Sequence, residues 1–179
     1  MKAKVEMMQS TAILDKPLDL ERLAFQLEGS VYEPRKFPGI RYKPIGGDSL
    51  TFLIYQNGKL VITGGKTKSQ LKNALDEFAQ LVEAGVKEFK VHCVVGTINL
   101  GKQLRLNVLS EVFEEAEYNP ENFPGVVFRS KCIIPRFLIF KTGKVVIAGA
   151  RTITELQDAA NKLGELLRGH QEVYSESNQ

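Results

Sequence analysis

The chain has 179 residues, 43% hydrophobic and 25% charged, with 24 basic residues against 21 acidic for a formal charge of +3. That is ample apolar material for a folded core, but no apolar run approaches the roughly 20 residues a helix needs to span a bilayer, and two cysteines cannot build a disulfide framework. So even a charge balance permits a polyanionic partner without demanding one.

The first predicted element is a strand over Lys4–Leu14. A short helix follows over Asp19–Leu27, with Leu20, Leu23 and Leu27 at helical spacing. The next stretch, Tyr32-Glu33-Pro34-Arg35-Lys36-Phe37-Pro38-Gly39, cannot be helical, because two prolines and a glycine interrupt it. Three short strands are read at Ile40–Lys43, Leu50–Tyr55 and Lys59–Thr63, the last two joined as a hairpin by Asn57-Gly58. An amphipathic helix closes this half, its stripe made by Leu71, Leu75, Phe78, Leu81 and Val82.

The same order then begins again. A Val-rich strand is read at Phe89–Leu100, a short helix is marked by Leu106, Leu109 and Phe113, and strands follow at Val126–Ser130, Arg136–Lys141 and Lys144–Ala148. The closing helix carries Leu156, Ala159, Ala160, Leu163 and Leu167 on its stripe. Tyr32-Glu33-Pro34-Arg35-Lys36-Phe37-Pro38-Gly39-Ile40 recurs as Tyr118-Asn119-Pro120-Glu121-Asn122-Phe123-Pro124-Gly125-Val126, 86 residues on from Phe37 to Phe123. Asn57-Gly58-Lys59-Leu60-Val61-Ile62-Thr63-Gly64-Gly65-Lys66 returns as Thr142-Gly143-Lys144-Val145-Val146-Ile147-Ala148-Gly149-Ala150-Arg151, and Leu18-Asp19-Leu20 has an echo in Leu104-Arg105-Leu106. The duplication predicts two repeats, residues 1–86 and 87–170, followed by a frayed polar tail, residues 171–179. A pseudo-twofold object suits a ligand that is itself nearly twofold, and duplex DNA is one.

Strands in the middle of each half and helices at its flanks predict an α+β class, with helices on one face of an antiparallel sheet. The opposite strand face carries Leu53, Val61, Val95, Leu138 and Val146, and an apolar open face marks a binding surface. Enzyme chemistry finds no support: there is no phosphate loop, nucleophile elbow or paired histidine and carboxylate. Glu114-Glu115 and Asp76-Glu77 read as solvated helix faces. His92 and Cys93 are adjacent in a strand and point to opposite faces, so no metal site is expected. Cys93 and Cys132 read as buried free thiols. No cofactor is expected.

The paired Tyr-x-Pro-x-x-Phe-Pro-Gly segments, each followed by Leu-Ile-aromatic, Gly-Lys-x-Val and a Gly-Gly-Lys or Gly-Ala-Arg ending, resemble the TATA-box-binding protein (TBP) family over residues 4 to 170. The resemblance implies a saddle: a curved ten-stranded antiparallel sheet with four helices on its convex face and a concave face that binds the DNA minor groove. It implies intercalating aromatics at Phe37, Tyr55, Phe123 and Phe140, Tyr55 being a departure from phenylalanine. Only a large flat apolar group fills an opened base step. It also implies groove-lining residues at Met7, Gln9, Leu53, Val61, Thr63, Cys93, Val95, Pro124, Leu138, Val146 and Ala148. Phosphate contacts map onto Lys59, Lys66, Lys144 and Arg151, with Arg41 and Arg129 as helpers. A B-type initiation factor would meet Asn119, Glu121 and Asn122, of which only Glu121 keeps the acidic character usual there.

Departures concentrate at the centre. Met7 and Cys93 stand where the family places asparagines, Gln9 where valine is usual, and Ala148 where the second repeat usually has threonine. The leading expectation is a general initiation factor that binds and bends A·T-rich promoter DNA, acting with the RNA polymerase machinery, as a monomer on DNA with homodimerisation open when free. The alternative is a paralogue with altered or lost TATA recognition that acts mainly through protein partners. A start without a signal-peptide apolar region predicts an intracellular protein, in the cytoplasm or nucleoid if archaeal and the nucleus if eukaryotic. The lack of a long N-terminal extension leans towards the archaeal case.

Overall fold

The computed structural model describes residues 1–46, 49–131, 133 and 135–175. It divides into two compact units, Met7–His92 and Met1–Glu6 with Cys93–Gln179. The division falls a few residues past the expected boundary because the long strands β1 (Lys4–Leu14) and β6 (Val86–Asn99) each run across it.

The first repeat continues from β1 with α1 (Leu20–Gln26), β2 (Ser30–Tyr32), β3 (Gly39–Tyr42), β4 (Thr51–Tyr55), β5 (Lys59–Gly65) and α2 (Lys68–Leu81). The second continues from β6 with α3 (Leu106–Val112), β7 (Ala116–Tyr118), β8 (Gly125–Phe128), β9 (Arg136–Phe140), β10 (Lys144–Ala150) and α4 (Ile153–Arg168). Among the described residues, ten antiparallel strands and four α-helices give the expected α+β class. Within the repeats the strand orders are β2-β3-β4-β5-β1 and β6-β10-β9-β8-β7.

Burial alternates along the strands, as a sheet covered on one face requires. In the first unit Ile40, Phe52, Ile54, Leu60 and Ile62 are buried and meet Leu71, Leu75 and Phe78 of α2, with the Phe52 and Phe78 rings 5.5 Å apart. The second unit repeats this with Val126, Phe137, Ile139, Val145 and Ile147 under Leu156, Ala160 and Leu163 of α4. Side-chain caps fix the starts of α1, α2 and α4: Asp19 accepts from the Arg22 N–H, Thr67 from Gln70 and Thr152 from Glu155. Leu81, expected on the α2 stripe, is instead 61% exposed: it is the last residue of the helix and lies about 80° around the axis from Leu71, off the side that buries Leu71, Leu75, Phe78 and Ala79.

Two further features differ from the sequence reading. The strands β2 and β7 were not distinguished; at three residues each, they are too short for any periodicity to register. The start of the expected frayed tail is built into the second unit. Gln171–Val173 forms a 3-10 turn, Val173 is fully buried, its carbonyl accepts from Arg105 N–H at 2.8 Å, and Ser175 N–H donates to Gln103 at 2.9 Å. Partial burial raises the Tyr174 hydroxyl pKa, against a smaller opposing effect of Arg168. Residues 176–179 lie outside the described residues. Ending the chain after Gly169 is therefore expected to cost about 2–3 kcal/mol from the lost valine burial alone. A denaturant midpoint unchanged from that of the full chain would contradict this.

No helix among the described residues is long and apolar enough to cross a membrane.

Candidate nucleic-acid interface

The strand face turned away from the helices is the same kind of surface in both units. In the first, register aligns Val31, Arg41, Leu53, Val61 and Thr11 across β2, β3, β4, β5 and β1, and residues directly opposite share a face. One step along, Thr51 faces Thr63, and Thr63 faces Gln9. In the second unit the row is Glu117, Val127, Leu138, Val146 and Thr97, with Arg136 opposite Ala148 one step along. The expected lining residues Met7, Gln9, Leu53, Val61, Thr63, Cys93, Val95, Leu138, Val146 and Ala148 are all half-buried, whereas the alternate residues of the same strands are mostly buried under the helices. Cys93 is thus a half-buried free thiol, not the buried one expected; Cys132 lies outside the described residues. Thr97 ends its row by donating to a Glu6 carboxylate oxygen at 2.9 Å, and Lys4 stands 3.4 Å from that same oxygen.

Each face ends in an aromatic pair. Phe37 and Tyr55 meet edge to face with centroids 5.7 Å apart, and Phe123 and Phe140 are tilted at 5.6 Å. All four rings are half-buried. The Phe-Pro-Gly sequence has a direct physical reason. Tyr55 pairs with Gly39 and Phe140 with Gly125, and a Cβ on either glycine would collide with the facing backbone carbonyl oxygen, Ile54 at 2.6 Å or Ile139 at 2.9 Å, and would also press to 3.0 Å of its phenylalanine ring. Glycine lets the ring lie over the strand. The preceding turn is closed by Glu33 or Asn119, whose carbonyls accept from the N–H of Phe37 (3.0 Å) and Phe123 (2.9 Å). Pro124, expected to line the groove, is exposed beside Phe123.

The candidate phosphate-binding cations are exposed and sit at fixed backbone positions. Lys59 and Lys144 open β5 and β10. Lys66 and Arg151 are held at the starts of α2 and α4, their backbone N–H groups donating to Gln70 at 2.9 Å and Glu155 at 2.6 Å. Arg41 and Arg129 are not equivalents. Arg41 takes the position of Val127, opposite Leu53 on the open face, while Arg129 follows β8 and faces the Glu117 carboxylate at 3.4 Å. Asn119, Glu121 and Asn122 are exposed together in the second-repeat turn, where the Asn119 side chain accepts from Glu121 N–H at 3.2 Å.

The sequence reading missed Arg136, which shares the open face with Leu138 and Phe140 at a spacing of two. That spacing was the available signal. Among the described residues no group of three or more metal-ligating side chains comes together.

The family model described as transcription factor TFIID, or TATA-binding protein, matches residues 2–84 and again 88–170. The chain belongs to the TATA-binding protein family. It is 34% identical over 171 residues to the TATA-box-binding protein of Aeropyrum pernix, covering 92% of this chain and 84% of that one. It is 36% identical over 176 residues to that of Methanococcus aeolicus, covering 95% and 96%. Its fold superimposes on the solved Methanococcus jannaschii TBP with a TM-score of 0.85 at 29% identity, covering 94% of this chain and 99% of the other. The TATA-binding protein family is one of transcription factors, not of enzymes, and this chain is a transcription factor of that type.

Proposed function

We propose that this chain binds A·T-rich promoter DNA through the minor groove with the open strand faces of its two repeats, and bends it. The observation that carries this reading is the repeated aromatic pair, 5.7 Å and 5.6 Å between centroids, with Tyr55 and Phe140 two residues along their strands from Leu53 and Leu138 of the open faces. Half-buried rings held over a glycine are pre-positioned to enter an opened base step, and the apolar rows replace the water that a minor groove otherwise holds. Exposed Lys59, Lys66, Lys144, Arg151 and Arg41 supply the charge. The second-repeat turn, Asn119 to Asn122, is the docking point for a B-type initiation factor that brings in the polymerase. The protein binds DNA as a monomer, inside the cell. A bend measured by energy transfer between dyes at the ends of a TATA duplex tests the reading; an unbent complex would overturn it.

Charge neutralisation makes a separate prediction. The logarithm of affinity should fall linearly with the logarithm of salt, and Lys59→Gln or Lys144→Gln should each flatten that slope by about 0.9. An unaltered slope in both variants would remove these lysines from the phosphate contacts.

A second reading has its own support. Met7, Cys93 and Ala148 present no strong hydrogen-bond donor to a base edge, which favours a paralogue acting through protein partners. Band shifts on a TATA duplex and a scrambled duplex separate the two. Equal, weak binding to both with partner binding intact supports the paralogue.

A further inference from the structure

The second repeat carries a side chain on its open face that the first lacks. Arg136 opens β9 directly opposite Ala148 and on the same side of the strand as Leu138 and Phe140. The equivalent pair in the first repeat is Thr51 opposite Thr63. Two hydroxyls there become an arginine beside a methyl group. The exchange is complementary: alanine removes one local donor and clears space over β10 for a flat guanidinium, which brings five donors and no acceptor.

Arg136 is exposed, and among the described residues its side chain takes part in no ion pair or hydrogen bond. The carboxylates of this face are otherwise engaged, Glu117 by Arg129 at 3.4 Å and Glu6 by Thr97 at 2.9 Å. Its position on the face is fixed by the strand register. The strand β9 lies between β8 and β10, and Arg136 stands four residues from the Phe140 ring, about 13 Å along the strand. The neighbours on its face are Leu138, Val146 and Ala148, side chains suited to base edges and sugars.

We propose that Arg136 is a base-reading residue. It donates to adenine N3 and thymine O2 in the second repeat's half of the DNA site, and it excludes guanine, whose 2-amino group would meet it donor to donor. This rests on the minor-groove reading above. It restores in one half of the site a donor that Met7, Cys93 and Ala148 do not supply, so the recognition is asymmetric.

The test uses the full chain and a duplex that it selects from a random pool. Each A·T pair is replaced singly by G·C and by inosine·C, which keeps the acceptors and lacks the 2-amino group. For the wild type, G·C at one or two adjacent positions in one half should weaken binding about tenfold while inosine·C does not. Arg136→Thr, the residue of the first repeat, should shrink that penalty to less than about twofold there and leave the other half unchanged. If Arg136→Thr weakens every duplex alike and lowers the salt slope with the guanine penalty intact, Arg136 is a phosphate contact and the inference falls. A guanine penalty and affinity both unchanged by Arg136→Thr would sink it equally. A wild type that prefers no duplex over a scrambled one overturns the minor-groove reading itself, and this inference with it.

Discussion

Phe123→Ala and Phe140→Ala should each weaken binding to a bendable duplex by at least about tenfold, and together they should abolish the bend. Opening a base step costs a few kcal/mol of stacking, and an inserted ring is what offsets it. Base–aromatic stacking contributes about 1–3 kcal/mol per base, so removing one ring of a pair leaves an opened step half filled. The rings touch each other at 5.6 Å, so the two losses should not add: the second truncation removes a wedge already without its partner. The fold should survive, because both rings are half-buried and sit outside the core made by Phe137, Ile139, Val145 and Ile147. A half-buried phenylalanine contributes about 1 kcal/mol of burial. The readouts are therefore separable: end-to-end energy transfer for the bend and a denaturant midpoint for the fold. Normal bending in the double variant would show that these rings are not the wedges, and the same substitutions at Phe37 and Tyr55 would then be the next place to look.

How much of this was legible in the sequence depends on what kind of signal each feature leaves. The aromatic pairs were legible because Phe-Pro-Gly is a local constraint: the ring packs on the glycine two residues away, and both copies preserve it. The open faces were legible because a strand has a period of two, so Leu53 and Val61, or Leu138 and Val146, had to share a side. The strands β2 and β7 left no such trace in three residues. Val173 could not be read as core, since it is one apolar residue in a polar run and its partners, Gln103 to Arg105, lie some seventy residues away. Arg136 was readable and missed, because matching on motifs looks for residues the repeats share. It is at the differences between the repeats that this chain departs from a symmetric reader: Arg41 against Val127, Thr51 against Arg136, Thr63 against Ala148.

The same comparison of repeats yields the largest expected effect on stability. Gly64 and Gly149 are equivalent residues at register shifts, where β5 meets β1 and β10 meets β6, and both have positive φ, 102° and 96°. The bulge explains the glycines: one extra residue bends the strand, and the turned-out position takes a conformation that a Cβ resists. Their surroundings differ. A Cβ on Gly149 would meet nothing within 4 Å, while one on Gly64 would collide with the Ser49 carbonyl oxygen. Gly149→Ala should therefore cost only the backbone strain, about 1–3 kcal/mol. Gly64→Ala should cost that strain plus about 1–3 kcal/mol more for overpacking, because the atom in the way is backbone and cannot swing aside. Denaturant unfolding of the two variants side by side decides it, since the conformational term is common to both and cancels in the difference. Equal destabilisation would mean that the segment carrying Ser49 yields without cost. A larger loss at Gly149 would mean that the bulge in the second repeat, and not the first, is the more constrained. The expected order, Gly64 well above Gly149, ties the first repeat's open face to its packing: Thr63, immediately before the bulge, is held in register with both Thr51 and Gln9, so a shift at Gly64 also displaces the polar row of that face.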